Sequence, residues 1–452
     1  MVGFTLPYFG NPLKLRKIFS SNLSEFLTSA ANEINSDIIS LYGFGQTYVF
    51  CLSYESFKEC MIRNGAVTSG RPMLGSFNEE LLAVTRGLVN SEGEIWQNHR
   101  QVIIRALKDI SLDSSALFQK ITEESSVLLQ KLSELPANDS KELMNILQDT
   151  TSSIISQLVF GHRFEKVEIL RKLLTINEDI LEEYLKFDIK RFIPGAESNV
   201  NKLAEQRLRP IVNYIDNEIK LHENSEEADD DVISIILQKR NVLPKMFQLK
   251  DVVAIVLDLF FAGTKTTSDT LGWAFYHLKR HPEIQELVRE ELNEVLGNRP
   301  LKYKDIEKLP KFVALVHEVM RITPVVEVTV LHRSVQPFEL MGYKIPKSTV
   351  LAGVHTNILH DSQNFKSGKD FNIKNFLNPD MTKFVLHDNM ITFGLGPRRC
   401  LGERLAKFEL YIFLSTVLQN YKIEPLKDGS DSNEAKYFAS LKEVAVKFTP
   451  IL

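Results

Sequence analysis

Phe393-Gly394-Leu395-Gly396-Pro397-Arg398-Arg399-Cys400-Leu401-Gly402 is the stretch on which the reading of this chain turns. Two glycines and a proline lead into a single cysteine, and an apolar-periodic segment, Glu403 to Tyr421, follows at once. Such a run predicts a tight loop that delivers a thiol to the start of a helix. There the helix dipole and free backbone N–H groups favour a thiolate. Gly394 and Gly396, lacking side chains, let the loop lie close under something flat. Arg398 brings a positive charge two residues before the thiol. A lone cysteine here would read as an ordinary buried thiol after a turn. Its spacing to Phe393, Gly396, Arg398 and Gly402 sets it apart.

Composition narrows the class. The 452 residues are 44% hydrophobic and 25% charged, ordinary for a soluble globular core. That length suits one large enzyme domain or a few average ones. A net charge of −4 argues against a nucleic-acid binder, which would be basic. Three cysteines, Cys51, Cys60 and Cys400, make no disulfide framework and fit a reducing compartment. Cys51 and Cys60 read as packing residues. No apolar run reaches transmembrane length, and Met1 to Pro7 is too short for a signal or an anchor. Glu223 to Asp231 is an acidic run read as a solvated loop, without the spacing of a calcium loop.

Upstream of the cysteine loop, Asp251 to Lys279 is the longest apolar helix pattern. Its centre, Leu259-Phe260-Phe261-Ala262-Gly263-Thr264-Lys265-Thr266-Thr267, sets Ala-Gly and three threonines in a Leu/Val/Phe helix. Glycine costs about 1 kcal/mol in a helix interior, so a packing or functional reason is expected. A kink or an opened groove would satisfy both. Glu318 and Arg321, three apart, share a helical face and can pair. So do Trp96 and Arg100, a pattern equally at home as a cation–aromatic pair on a solvated helix. Ser53 reads as the N-cap of a helix through Ile62, after a turn and strand over Leu41 to Leu52. Ser115 to Leu221 is helical, broken at Pro136, Gly161 and Pro194-Gly195. Pro324 to Leu331 and Phe338 to Pro346 read as strands joined by turns. Ser69 to Asn90 is irregular, and loops of that length are often functional.

With Trp96 and Arg100, Ala262 to Thr267, and Glu318 and Arg321 at compatible places upstream, the cysteine loop resembles that of the cytochrome P450 family. The animal microsomal members are the most similar. The resemblance implies a mainly α fold with small β-sheets, one cytochrome P450 domain over residues 1–452. It implies a b-type haem between the Ile255 to Phe275 helix and the Cys400 loop. By it, Cys400 is the axial iron ligand, the family's known ligand type. Arg398, Trp96 and Arg100 reach the haem propionates, and Phe393 packs beside the sulfur. His332 stands where a propionate-binding histidine is placed, although a lone histidine after a strand also reads as a surface residue. Ala262 and Gly263 leave room for dioxygen, and Thr266 matches the hydroxyl that relays protons. Glu318 and Arg321 form a buried structural pair.

Two residues depart from the pattern. Lys265 stands where the family has an acid, and an ordinary lysine cannot cycle its charge near neutral pH. Either it pairs with Asp269 and points outward, or oxygen activation is altered. Asn375, within Phe371-Asn372-Ile373-Lys374-Asn375-Phe376, replaces the arginine that completes the Glu318–Arg321 network. That site is expected to be rewired, with Asn375 hydrogen-bonding and Lys374 supplying charge.

The resemblance further implies monooxygenation of a small apolar substrate, with electrons from an NADPH-cytochrome P450 reductase. Met73, Leu74, Phe77, Leu81 and Val84 would roof the pocket, Phe261, Val325, Val326 and Val328 wall it, and Phe438-Ala439-Ser440 close it. Arg100, Arg105, Lys108, Arg399, Arg404 and Lys407 offer the reductase a basic surface, or serve solubility alone. Location at the cytosolic face of the endoplasmic reticulum membrane follows by the same resemblance. Leu6 to Asn11 is similar to the hinge after a membrane anchor, the anchor itself being absent. Tyr184 to Gly195 touches the membrane or packs on the core. Two rivals stand beside this: a haem-thiolate isomerase or dehydratase of oxygenated lipids, favoured by Lys265, and a catalytically degenerate haem-binding protein.

Overall fold

The computed structural model describes residues 23–43, 46–72, 86–109, 115–136, 139–163, 199–224, 231–245, 247–426 and 445–451. The roof residues Met73, Leu74, Phe77, Leu81 and Val84, the Phe438 loop, the Leu6 hinge and the Tyr184 to Gly195 stretch lie outside the described residues.

Helix α1 (Leu23–Ile34) is followed by a hairpin, β1 (Ile38–Gly43) and β2 (Gln46–Cys51). Helix α2 (Tyr54–Lys58) starts where Ser53 accepts the Ser56 N–H at 3.2 Å, then continues as a π turn, Glu59–Arg63. Next come α3 (Gly93–Asp109), α4 (Ser115–Glu134) and α5 (Ser140–Val159). Pro136 separates α4 from α5, and Gly161, with φ of +76°, stands just past α5. Helices α6 (Asn199–Glu223) and α7 (Val232–Val242) follow. The acidic run ends differently from expectation. Asp231 is buried, caps α7 by accepting the Ser234 N–H at 2.8 Å, and pairs with His222 at 3.1 Å. A helix with free N–H groups needs such an acceptor, which outranks solvation of the carboxylate.

Helix α8 (Leu249–Arg280) runs unbroken for 32 residues, so the Ala-Gly centre opens a groove without interrupting the helix. Helices α9 (Pro282–Leu296) and α10 (Pro310–Ile322) each begin on a proline, whose missing N–H costs nothing there. Then come β3 (His332–Arg333), β4 (Phe338–Leu340), β5 (Tyr343–Ile345), β6 (Val350–Gly353), α11 (His355–Leu359), α12 (Glu403–Asn420), β7 (Tyr421–Glu424) and β8 (Lys447–Pro450). The main sheet has the order β1-β2-β6-β3, with β2 and β6 parallel and the outer pairs antiparallel. Met341 and Gly342, both at positive φ, turn the β4–β5 hairpin where Phe338 to Pro346 predicted one.

Pro324 to Leu331 is a correction. Its valines suggested a strand, but the segment is irregular, with a single bridge from Val328 to Val354. Its backbone is held instead by α11 and β6. Val326 and Glu327 carbonyls accept from the His355 ring at 2.9 Å and the His355 N–H at 2.7 Å, and Thr329 N–H donates to Gly353 at 2.9 Å. These contacts meet the polar backbone's needs without a ladder.

The core is built around α8. It packs on α5 and α12, burying Val252, Ile255, Val256, Phe260, Leu271, Phe275 and Leu278. A second apolar cluster, from Leu27, Ile39, Phe50, Ala352 and Val354, joins α1 to the main sheet. Cys51 and Cys60 are fully buried packing residues.

Candidate functional site

The Cys400 loop is shaped by its glycines. Gly394 and Gly396 sit at φ of +74° and +73°, the left-handed region that other residues avoid. The Gly394 N–H donates to Ile391 at 2.7 Å, the Arg399 N–H to Gly396 at 3.1 Å, and the Cys400 N–H returns to Phe393 at 2.9 Å. Any side chain at Gly396 would overlap the Met61 carbonyl in the π turn, and one at Gly65 would press on Pro397. The loop is thus clamped onto residues 59–65, and α12 begins three residues past the cysteine.

Cys400 is exposed by surface yet ringed by protein, as a thiol at the floor of an open cleft would be. Burial pushes the thiol up, and this outweighs the Gly402 and Glu403 N–H groups and Arg100, which favour ionisation. The expected stabilisation by the helix start is therefore present but insufficient alone. A cation opposite the sulfur would tip the balance to thiolate.

Beside the loop lies an excess of positive charge. Arg398 stacks on the buried Trp96 ring at 3.9 Å and donates to the carbonyls of Ser69 (2.8 Å), Ser91 (2.6 Å) and Leu88 (3.4 Å). Burial, Arg71 and Arg100 together bring its pKa down to about 9. Arg71, also buried, donates to Val89 at 2.7 Å and to Leu331 at 2.8 Å, and burial lowers it to about 10. Arg100 lies 5.9 Å from the Trp96 ring and donates to the Arg399 carbonyl at 2.6 Å. His332 is buried, with Nδ1 2.8 Å from the Thr68 carbonyl. A carbonyl only accepts, so Nδ1 carries the proton. Burial, with Arg71 and Arg398 nearby, holds this imidazole neutral, at a pKa of about 3. The facing acids are Glu92, which pairs with Arg333 at 2.6 Å, and Asp258, which burial pushes up to about 7. Among the described residues the cations outnumber them.

Asp258, on α8, also accepts the Val89 N–H at 2.7 Å and leaves no room for a side chain at Gly87. It ties residues 87–89, the described edge of the irregular Ser69 to Asn90 stretch, to the central helix. Sequence reasoning missed Arg71 and Asp258. A single acid inside the apolar run of α8 was the signal for the second; Arg71 had none.

Further along α8, Ala262 is exposed between half-buried Phe261 and Gly263. Half-buried Thr266 donates from Oγ1 to the Ala262 carbonyl at 2.7 Å, leaving its lone pairs free to accept. Gly263 serves another purpose: a side chain there would overlap Ile155, so the glycine lets α5 approach. Room at the groove comes from Ala262. Lys265 pairs with Asp269 at 3.2 Å, one turn on, as the outward reading expected. Phe261, Val325 and Val326 are half-buried, and among the described residues they pack in neither apolar cluster. Val328 instead packs against the second cluster. Phe393 is half-buried with Lys407 Nζ 5.4 Å from its ring centre.

On α10 the Glu318–Arg321 pair is fully buried and doubly bonded, at 2.7 Å each. Arg321 spends its other donors on the carbonyls of Leu359 (2.8 Å), Gly368 (2.6 Å) and Asp370 (2.9 Å). Asn375 Nδ2 reaches both Glu318 oxygens, at 3.2 and 3.3 Å, and the Asn372 N–H donates at 2.7 Å. The rewiring expected at Asn375 is present. Lys374 takes no part; its side chain is exposed.

The description "Cytochrome P450" belongs to the family model that matches residues 2–448. Among similar proteins, cytochrome P450 2C3 of Oryctolagus cuniculus is 30% identical over 94% of this chain and 88% of its own. Cytochrome P450 2H2 of Gallus gallus is 31% identical over 85% and 79%. Cytochrome P450 2E1 of Bos taurus is 28% identical over 95% and 87%. This chain belongs to the cytochrome P450 family, whose members carry haem and are generally monooxygenases. The residues present suit that group: a flat dianion with a central metal would answer both the surplus guanidinium charge and the undonated Cys400 thiol.

Proposed function

We propose that this chain is a haem-thiolate monooxygenase that inserts one atom of dioxygen into an apolar organic substrate, the other atom leaving as water. Two electrons and two protons balance that reaction, the electrons coming from an NADPH-dependent reductase. The observation that carries the reading is Cys400, held by a glycine-bent loop beside an excess of buried arginine.

Cys400 Sγ would hold the iron, and Arg398, Arg100, Trp96 and the neutral His332 would receive the propionates. His332 offers Nε2 as acceptor in its present tautomer, so a propionate there would have to protonate the ring or arrive protonated. Haem supplies dioxygen binding and one-electron chemistry that no side chain has. The chain supplies the rest. Ala262 leaves space over the ring, and the Phe261, Val325 and Val326 side chains keep the pocket dry. Thr266 Oγ1, oriented by its bond to the Ala262 carbonyl, would pass its hydroxyl proton on and be reprotonated by a water hydrogen-bonded to it. With Lys265 engaged by Asp269, water must deliver that proton.

The exposed Arg105, Lys108 and Arg404 form the outer part of the basic face for the reductase. No helix among the described residues is long and apolar enough to cross a membrane. Residence at the cytosolic face of the endoplasmic reticulum is therefore proposed through surface attachment or a segment outside those residues. Lys265 also favours a second reading, rearrangement or dehydration of an oxygenated lipid without a reductase.

Reduced protein under carbon monoxide tests the core of this. A Soret band shifted to the thiolate-ligated position is expected, and is lost in Cys400→Ala. An unshifted band, or no haem uptake, overturns it. Product from a lipid hydroperoxide without reductase, and none with NADPH and reductase, selects the second reading.

A further inference from the structure

Between the start of α10, α12, the turn Tyr303–Lys308 and the segment around Phe384 lies a recess of about 280 Å³. Ile306, Pro310, Val313, Phe384 and Leu386 give it apolar walls, and it shares no residue with the groove at Ala262. Two polar side chains also line it, His317 from α10 and Tyr411 from α12, only 3% and 5% exposed.

The two are opposites in hydrogen bonding. His317 Nδ1 lies 2.8 Å from the Val313 carbonyl, which only accepts, so Nδ1 carries the proton and Nε2 is a bare lone pair. Burial and the nearby Lys407 charge hold the ring neutral, at a pKa of about 3. Burial and Glu403 keep the Tyr411 phenol protonated, so it has a hydrogen to give. Neither Nε2 nor this hydroxyl has a hydrogen-bond partner among the described residues. Nor is either atom sealed off as the orphaned His355 Nε2 is. With so little of each residue exposed, the opening left to both atoms is the recess they line.

The charged neighbours narrow what could fit. Lys407, on the wall, already pairs with Glu403 at 2.9 Å and lies 5.4 Å from the Phe393 ring centre. Glu307 adds negative charge beside it. A carboxylate would therefore meet an acceptor nitrogen and an acid, with the one cation answered. A hydroxyl can give its hydrogen to Nε2 and take one from Tyr411. The His317 and Phe384 rings, 4.6 Å apart, favour a flat aromatic body. The volume suits about two fused rings, at the small end of ligand sites.

We propose that this recess binds a small aromatic molecule bearing a hydroxyl, which bridges His317 and Tyr411. The site does not rest on the monooxygenase reading.

The probes are 2-naphthol and 2-methylnaphthalene, alike in shape, only the first with a hydroxyl. Equilibrium dialysis against the haem-loaded protein, without reductase or NADPH, leaves both unconsumed. Tyr411→Phe should weaken 2-naphthol about three- to tenfold, the worth of one hydrogen bond, and leave 2-methylnaphthalene within about twofold. His317→Asn, which keeps a donor for the Val313 carbonyl, should do the same. Tyr411→Phe, losing one oxygen and keeping its ring, decides the matter should His317→Asn fail to fold. Leu386→Trp, at a residue 56% exposed on the recess wall, should block the site and weaken 2-naphthol about tenfold or more, by the same scale. Undetectable binding of 2-naphthol to wild type overturns the proposal, and so do equal effects of Tyr411→Phe on the two probes. Binding of 2-naphthol unchanged in Leu386→Trp places it elsewhere and overturns it too. Tighter binding of 2-naphthoate than of 2-naphthol overturns the choice of a hydroxyl.

Discussion

Arg321 and Arg398 are two arginines in the same interior, in opposite circumstances. Around Arg321 every donor is spent, a carboxylate balances the charge, and Asn375 and the Asn372 N–H complete the carboxylate in turn. Around Arg398 there are carbonyls, an aromatic ring and further cations, with Glu92 shared among several arginines. A closed network works for the fold whether or not anything binds. An open one fits the proposed haem site, where an anion with two carboxylates would balance the charge beside the Cys400 sulfur.

The largest effect should come from breaking the closed network. Arg321→Leu strands a buried carboxylate and several carbonyls, and is expected to cost about 3–5 kcal/mol in urea unfolding. A loss below about 1 kcal/mol would mean that the two networks do not differ as argued. Next comes Arg398→Leu, which removes one of several crowded cations. Haem-free stability should fall by less than for Arg321→Leu, since three carbonyls but no carboxylate lose their donor, while haem dissociates about 10–100-fold more readily, the scale of losing a supporting contact. Equal damage to haem-free and loaded protein would erase the distinction.

Glu409 sharpens the comparison as an intermediate case, a group in the closed part of the core that is left unsatisfied. On α12 it is fully buried and among the described residues neither oxygen has a hydrogen bond of good geometry, although the nearby Thr267 hydroxyl favours its ionisation. Burial raises its pKa well above the ordinary 4.5. The folded chain therefore binds a proton that the unfolded chain releases, so stability is full below the unfolded value and declines as pH rises toward the folded one. Glu409→Gln should flatten this slope, which is at most about 1.4 kcal/mol per pH unit, in unfolding measured across pH 5 to 8. An unchanged slope would place the proton elsewhere.

The sequence made these regions legible to different degrees. Local geometry over a few residues made the glycine turns before Cys400 and the helix α8 legible and showed that Glu318 and Arg321 could pair; the burial of that pair came only with the family resemblance. It also foresaw that Asn375 would still serve Glu318. Arg71 and Asp258 were hidden, since their partners come from segments far apart in the chain. Pro324 to Leu331 misled for the same reason: β-branched composition suggested a ladder, but His355 and Gly353 take its hydrogen bonds. Gly263 was expected to clear space over the ring; the crowding by Ile155 that explains it comes from α5, and no pattern within α8 announces that.

Arg398 grips the Ser69 carbonyl from 329 positions further along the chain, and Gly396 is seated on Met61 over a similar span. During translation, one half of this collar emerges early and must wait for nearly the whole remaining chain before its counterpart leaves the ribosome. Any group that this collar receives is consequently captured among the last events of biogenesis, and a prematurely terminated product would present the Ser69 side of the hollow without the Arg398 loop that completes it.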